Sequence, residues 1–344
     1  MSTPTIAITG ASGKLGGATL SALLSLNLLP PSSIVALTSS QPDSSTWAGL
    51  ASQHPELQVR HATFEDPTGF EKALQGVDRL FLVSTPHIAL DFDEYLTSET
   101  GEKKWKEIPD GQGREKHHRV AIDAAVRVGV KHVYYSSLAY AWDPQTKSPS
   151  KTSKAGVMRA HLRTEAYLSQ LKQEGKLEYT TFIREGLYNE SWPLYLGYFN
   201  PENDDRTVVP LAGDGKVAWT SIKDLGIGSA LVLVAPSREY DGKTFYLSAN
   251  PKGAKSLKDI AALVRETRGK GVETKIVGRD EHERYYVEER ERDRRAVHWW
   301  VSTYDALEAG ECLVDDPVLE KLLESVGVKP TPMEDTVVKM VKGE

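Results

Sequence analysis

The stretch that most constrains this chain lies within its first 26 residues. "TIAIT" (5–9) is a short apolar, partly β-branched run, "GASGKLGG" (10–17) follows without a gap, and "ATLSALLSL" (18–26) carries apolar residues at helical spacing. Strand, glycine turn and helix follow from that order. Gly10, Gly13 and Gly16 form G-x-x-G-x-x-G, a variant of the dinucleotide fingerprint. Missing side chains let the turn tighten, let backbone amides approach a pyrophosphate, and let the helix pack on the strand. The helix N-terminus then faces the anion. A Walker loop is excluded, because no Gly-Lys-Ser/Thr follows.

The same alternation continues. "SIVALTS", "LQVRHATF", "VDRLFLVST", "KHVYYSSL" and "EYTTFIRE" read as strands two to six, and "GFEKALQG", "HRVAIDAAVRVG" and "AHLRTEAYLSQLKQEG" as helices among them. Strands alternating with helices predict an α/β fold, a Rossmann-type doubly wound parallel sheet with ligands at the carboxyl ends of its strands. With 344 residues the chain has room for more. We expect a nucleotide-binding domain over 1–185 and a smaller C-terminal α/β substrate lobe over 186–344, with some crossing between them.

Composition removes several function classes. The net charge is −6 with both signs interspersed, which disfavours nucleic acid and anionic membrane surfaces as partners. No apolar run approaches the roughly 18 residues a membrane span needs. Cys312 is the single cysteine, so no intrachain disulfide forms. A reducing compartment, the cytoplasm, and a buried inert thiol are expected. G-x-S-x-G is absent, which disfavours a nucleophilic hydrolase.

Several motifs in order, "TGASGKLGG", "FEDPTGFEKALQGVDRLFLVST", "AIDAAVRVGVKHVYYSSL", "AHLRTEAYL", "GDGKVAWTSIKDLG" and "YDALEAGE", resemble the NmrA-like branch of atypical short-chain dehydrogenase/reductases. That group includes quinone and triphenylmethane reductases and NAD(P)-sensing regulators, and the resemblance spans about residues 4–310. It implies a phosphate loop of Gly10, Ser12, Gly13, Lys14, Leu15 and Gly16. It also implies Phe64 and Glu65 at the adenine edge and Ser84, Thr85 and Pro86 at the nicotinamide ribose. Members often carry Asp where Glu65 stands. The tip of strand two is Thr38-Ser39-Ser40, and its first carboxylate is Asp43. No acid there repels a 2′-phosphate, so NADP(H) is favoured, with NAD(H) the alternative. Lys14 and Ser39 would meet the phosphate.

Short-chain dehydrogenases usually carry Tyr-x-x-x-Lys after strand five, and this chain has none. The resemblance aligns Val157 with that tyrosine and His161 with the lysine, which makes His161 a residue facing the cofactor ribose or the substrate, and Glu165, one helical turn on, would orient the His161 ring. Valine gives no proton. Quinones, imines and other conjugated acceptors can take hydride without a dedicated acid; His161, Tyr140 and Ser136 are the candidate donors. A metal site is not expected, and His117 and His118 read as solvated. The alternative from another class is a sensor that binds the dinucleotide and acts on a protein partner without turnover.

After strand six, "EGLYNESWPLYLGYF" is rich in aromatic residues, and Tyr188, Asn189 and Trp192 are the candidate substrate contacts. Trp299 and Trp300 read as packing residues. "RDEHERYYVEERERDRR" (279–295) mixes charge signs and reads as a solvated helix face. The polar stretch 91–112 is expected to be an insertion able to act as a lid, and 143–156 a second flexible rim loop. No feature of the sequence bears on oligomeric state.

Overall fold

The computed structural model describes residues 3–91, 96–97, 103–104 and 108–343. Its centre is a sheet of seven parallel strands: β1 (Ile6–Ile8), β2 (Ile34–Thr38), β3 (Gln58–His61), β4 (Arg79–Val83), β5 (His132–Leu138), β6 (Tyr179–Glu185) and, from far along the chain, Thr244–Leu247. The spatial order puts Thr244–Leu247 at one edge, then β6, β5, β4, β1, β2 and β3. The order reverses at β1, so a crevice opens above the ends of β1 and β4. The six strands read from the sequence all form.

Helices cover both faces. Leu15, Leu20 and Leu23 of α1 (Lys14–Ser25) pack with Leu225, Ile227 and Leu233 of Ile222–Val234 on one side. A Cβ on Gly226 would stand 2.6 Å from the Ala18 carbonyl carbon, so only glycine allows this close helix approach. On the other face lie α2 (Pro67–Ala73), α3 (Arg114–Arg127) and α4 (Met158–Gln173). Asp66 caps α2 by accepting from the Gly69 N–H.

Beyond β6 the chain builds a smaller lobe on a two-stranded parallel sheet, β7 (Val208–Leu211) with Glu273–Ile276. Leu257–Arg268, Arg294–Glu308 and Met333–Lys342 share its core with Trp192, Trp219 and Trp299. The crossing between lobes is extensive: residues 222–234, 244–247 and 318–325 all belong to the body around the large sheet.

Two regions differ from the sequence reading. The segment 279–295 is not a uniform solvated helix, because a π-turn at Tyr285–Glu289 rotates it; Tyr286 and His282 are buried, and the Tyr286 hydroxyl donates to the Pro210 carbonyl. The stretch 143–156 is pinned. Glu311 accepts from the N–H groups of Ala141 and Lys154 and from the Ser153 hydroxyl, while Arg184 reaches the Ser150 carbonyl. Of the 91–112 insertion, most falls outside the described residues. Cys312 is buried, and burial pushes its thiol pKa well up. Among the described residues no helix is long and apolar enough to cross a membrane.

Candidate active site

The glycine loop fills three backbone roles with three glycines. Gly10 takes φ +59°, a left-handed conformation that favours glycine. A Cβ on Gly16 would lie 2.3 Å from the Gly10 carbonyl oxygen, and one on Gly13 would lie 3.1 Å from it. The Gly13 N–H donates to the Gly10 carbonyl at 2.8 Å, closing the turn. No side chain caps α1, and its first turn holds no acid. Its opening amides are therefore left for an anion. Gly10, Ser12, Gly13 and Lys14 are exposed, while Leu15 is buried and anchors the helix.

Around this loop the strand ends bring other expected residues together. Ser12 Oγ lies 3.3 Å from Thr38 Oγ1, which accepts from the Ser40 N–H, leaving Ser39 exposed at the tip of β2. Beyond β3, Phe64 is half-buried against Phe70, and Glu65 is exposed. Beyond β4, Ser84 and Thr85 turn inward and Pro86 outward.

Beneath Ser84 lies a buried polar network. Arg114 donates through Nε to Asp91 at 2.6 Å, through Nη2 to the Val157 carbonyl, and through Nη1 to His161 Nε2 at 3.1 Å. An arginine only donates, so His161 Nε2 accepts, and its Nδ1–H points at the Tyr135 hydroxyl, 3.0 Å away. Burial first, and the Arg114 charge second, push the His161 pKa well down. His118 follows the same pattern. Thr164 spends its proton on the Ala160 carbonyl, so His118 Nδ1–H donates to Thr164 Oγ1; Nε2 then accepts from the Ser84 hydroxyl at 3.0 Å and the Thr85 N–H at 3.3 Å. Both imidazoles are thus neutral, and His118 holds the loop after β4 from below.

The His161–Glu165 pairing expected from helical spacing does not form. Glu165 instead makes a two-pronged ion pair with buried Arg184, at 3.1 and 2.8 Å, and that guanidinium also ties down the Ala141 carbonyl and the Tyr246 hydroxyl. Nor is His118 solvated: it is fully buried, and His117 is half-buried, because α3 turns that face onto the sheet. Sequence reading also missed Arg114, although Arg114 and His118 extend the buried stripe of Ala121, Ile122 and Ala125 backward at helical spacing.

Over the ends of β5 and β6 sits an apolar cavity of about 120 Å³. Leu138, Val157, Tyr188, Tyr195 and Trp300 are among its walls. Val157, the residue aligned with the missing tyrosine, therefore faces the cavity. Tyr188 is in place, and Trp300 lines the wall as well as packing, since its ring meets Tyr195 at 5.1 Å. Asn189 and Trp192 are fully buried away from these walls; Asn189 donates to Thr336, and Trp192 packs on Phe199. Tyr140 is buried with its hydroxyl 2.9 Å from that of Tyr195, and Ser136 is buried mid-strand opposite Val83 and Ile183.

Comparison with known proteins fits this arrangement. The chain is 29% identical over 336 residues to the NmrA-like family domain-containing oxidoreductase flvB of Aspergillus flavus, covering 96% of this chain and 92% of that one. It is 30% identical over 267 residues to quinone oxidoreductase 2 of Escherichia coli, covering 78% and 76%. The structure of that enzyme with NADPH superposes with a TM-score of 0.72 at 26% identity, over 96% and 98% of the two chains. Citrobacter triphenylmethane reductase with NADP(H) gives 0.70 at 25% identity, over 97% and 99%. The NmrA-like family profile matches residues 2–284, more than half of the chain, and this protein belongs to the NmrA-like family.

Proposed function

We propose that this chain is an NADP(H)-dependent oxidoreductase that moves hydride to or from a conjugated small molecule such as a quinone or imine. The carrying observation is the apolar, aromatic-walled cavity at the ends of β5 and β6, with Val157 where a proton-donating tyrosine would stand. The relatives named as quinone and triphenylmethane reductases support that substrate class.

The residues present fit the dinucleotide, because the Gly10 turn and the uncapped start of α1 form a cradle that a Cβ at Gly16 would fill. Gly10, Ser12, Gly13, Lys14, Leu15 and Gly16 would hold the pyrophosphate, with Ser39 and Lys14 toward the 2′-phosphate. Phe64 and Glu65 would flank the adenine, and Ser84, Thr85 and Pro86 the nicotinamide ribose. When bound, the cofactor supplies or accepts the hydride.

The chain's own part is to position and to exclude water. His161 does this at one remove: both ring nitrogens are satisfied inside the protein, and it fixes Tyr135 and Arg114 rather than touching substrate. Burial pushes the phenol pKa values of Tyr188 and Tyr195 up, so both stay protonated and are poor acids. An acceptor that yields a delocalised anion, protonated later by water, suits such walls.

The test mixes purified protein and NADPH with a panel of quinones and cationic dyes and follows the nicotinamide absorbance. Oxidation above the blank is expected. Tight nucleotide binding with no turnover on any acceptor would instead favour a dinucleotide sensor acting through a protein partner.

A further inference from the structure

Two loops and the start of a helix converge beside the ends of β3 and β4, next to the segment whose Ile88 lines the apolar cavity. Glu65 follows β3, His87 follows β4, and His117 lies in the first turn of α3. Among the described residues, these form a set of three metal-competent side chains whose ligand atoms lie within 4.8 Å of one another. His117 Nε2 stands 3.8 Å from Glu65 Oε1, and the His87 and His117 rings meet edge-on at 5.6 Å. Phe64 lies parallel to the His117 ring, 8° between planes, and helps fix its orientation. Nε2 is the His117 nitrogen that faces Glu65, while Nδ1 is buried on the other side of the ring.

We propose that Glu65, His87 and His117 bind a divalent transition-metal ion of the zinc class, and that this ion competes with the dinucleotide for the adenine end of the crevice. Two imidazoles and a carboxylate are a ligand set that zinc accepts, with a fourth position left to water. Ligand atoms around tetrahedral zinc stand closer together than these do. Glu65 and His87 are exposed, however, so rotation of their side chains closes the gap while His117 holds its place on α3. Glu65 is also the residue assigned to the adenine edge, so one side chain serves both ligands. The competition clause rests on the dinucleotide reading above; the metal site does not.

The experiment titrates the full chain with zinc chloride by calorimetry, and with cobalt(II) by visible absorption, in wild type and in His87→Ala, His117→Ala and Glu65→Gln. His87 is exposed, so its loss leaves the fold intact. One ion per chain is expected, with affinity falling more than about tenfold in each histidine variant. The cobalt spectrum should lose its imidazole-dependent bands in the same variants. Equal binding by wild type and both histidine variants, or no binding, would overturn the site. NADPH is then titrated with and without saturating zinc. Its apparent Kd should rise in wild type and stay constant in His87→Ala. An unchanged Kd in wild type overturns the competition. Failure of NADPH to bind at all sinks the dinucleotide reading, while the zinc isotherm still judges the metal site.

Discussion

The glycine loop and the Arg114 network both serve the crevice, yet they are made in opposite ways. The loop is local: residues 10–16 supply their own turn, and its working groups are backbone amides. The network is assembled at long range, from Asp91, Arg114, His118, Tyr135, His161 and Thr164, and its working groups are buried side chains. A site made of backbone tolerates little change of conformation but much change of neighbour. A site made of buried polar side chains has the reverse sensitivity, since each partner left unpaired carries a desolvation penalty.

That contrast can be broken by mutation. The largest stability effect is expected for Arg114→Ala, which strands the Asp91 carboxylate in the interior and should cost about 3–5 kcal/mol by denaturant unfolding. A loss below about 1 kcal/mol would mean that the network is ornamental. In the loop, Gly13→Val should weaken NADPH binding by at least about 100-fold while leaving circular dichroism unchanged. Gly16→Ala, with its Cβ at 2.3 Å from the Gly10 carbonyl, should lose about 1–3 kcal/mol of stability as well. Equal behaviour of the two variants would erase the distinction between an anion seat and a packing contact.

Acid gives a smaller and spread effect. Burial pushes His132 down to about 3 and holds His118 and His161 far below the ordinary 6.5. A histidine with a depressed folded pKa binds its proton in the unfolded state first, so stability is full above pH 6.5 and is lost as the pH falls toward 3. His132 alone should remove about 2 kcal/mol by pH 5. Thermal melts from pH 8 to pH 5 read this, and His118→Gln should flatten part of the slope. The smallest effect belongs to Tyr195→Phe, which removes one hydroxyl from the pair with Tyr140 and should cost about 1 kcal/mol while keeping the cavity wall.

The same contrast explains what could be read from the sequence. Six strands and the glycine turn are legible because alternation and β-branching are local properties, and all six form. The expectation that Glu165 orients His161 used correct helical spacing. It failed because Arg184, 19 residues on and buried, outcompetes a neutral ring for a carboxylate. Trp192 sits in the most aromatic stretch yet faces the lobe core, and Trp300 reaches the cavity from the end of the chain. Aromatic content marks a lobe interior; which ring faces the void depends on how the C-terminal helices close over it.

The seventh strand has a consequence for how the molecule is made. Thr244–Leu247 pairs with β6, so until roughly residue 247 has left the ribosome the edge at Phe182–Glu185 has no neighbour, and Arg184 lacks its Tyr246 partner. The N-terminal half cannot complete its sheet during synthesis until this later strand arrives to cover its edge.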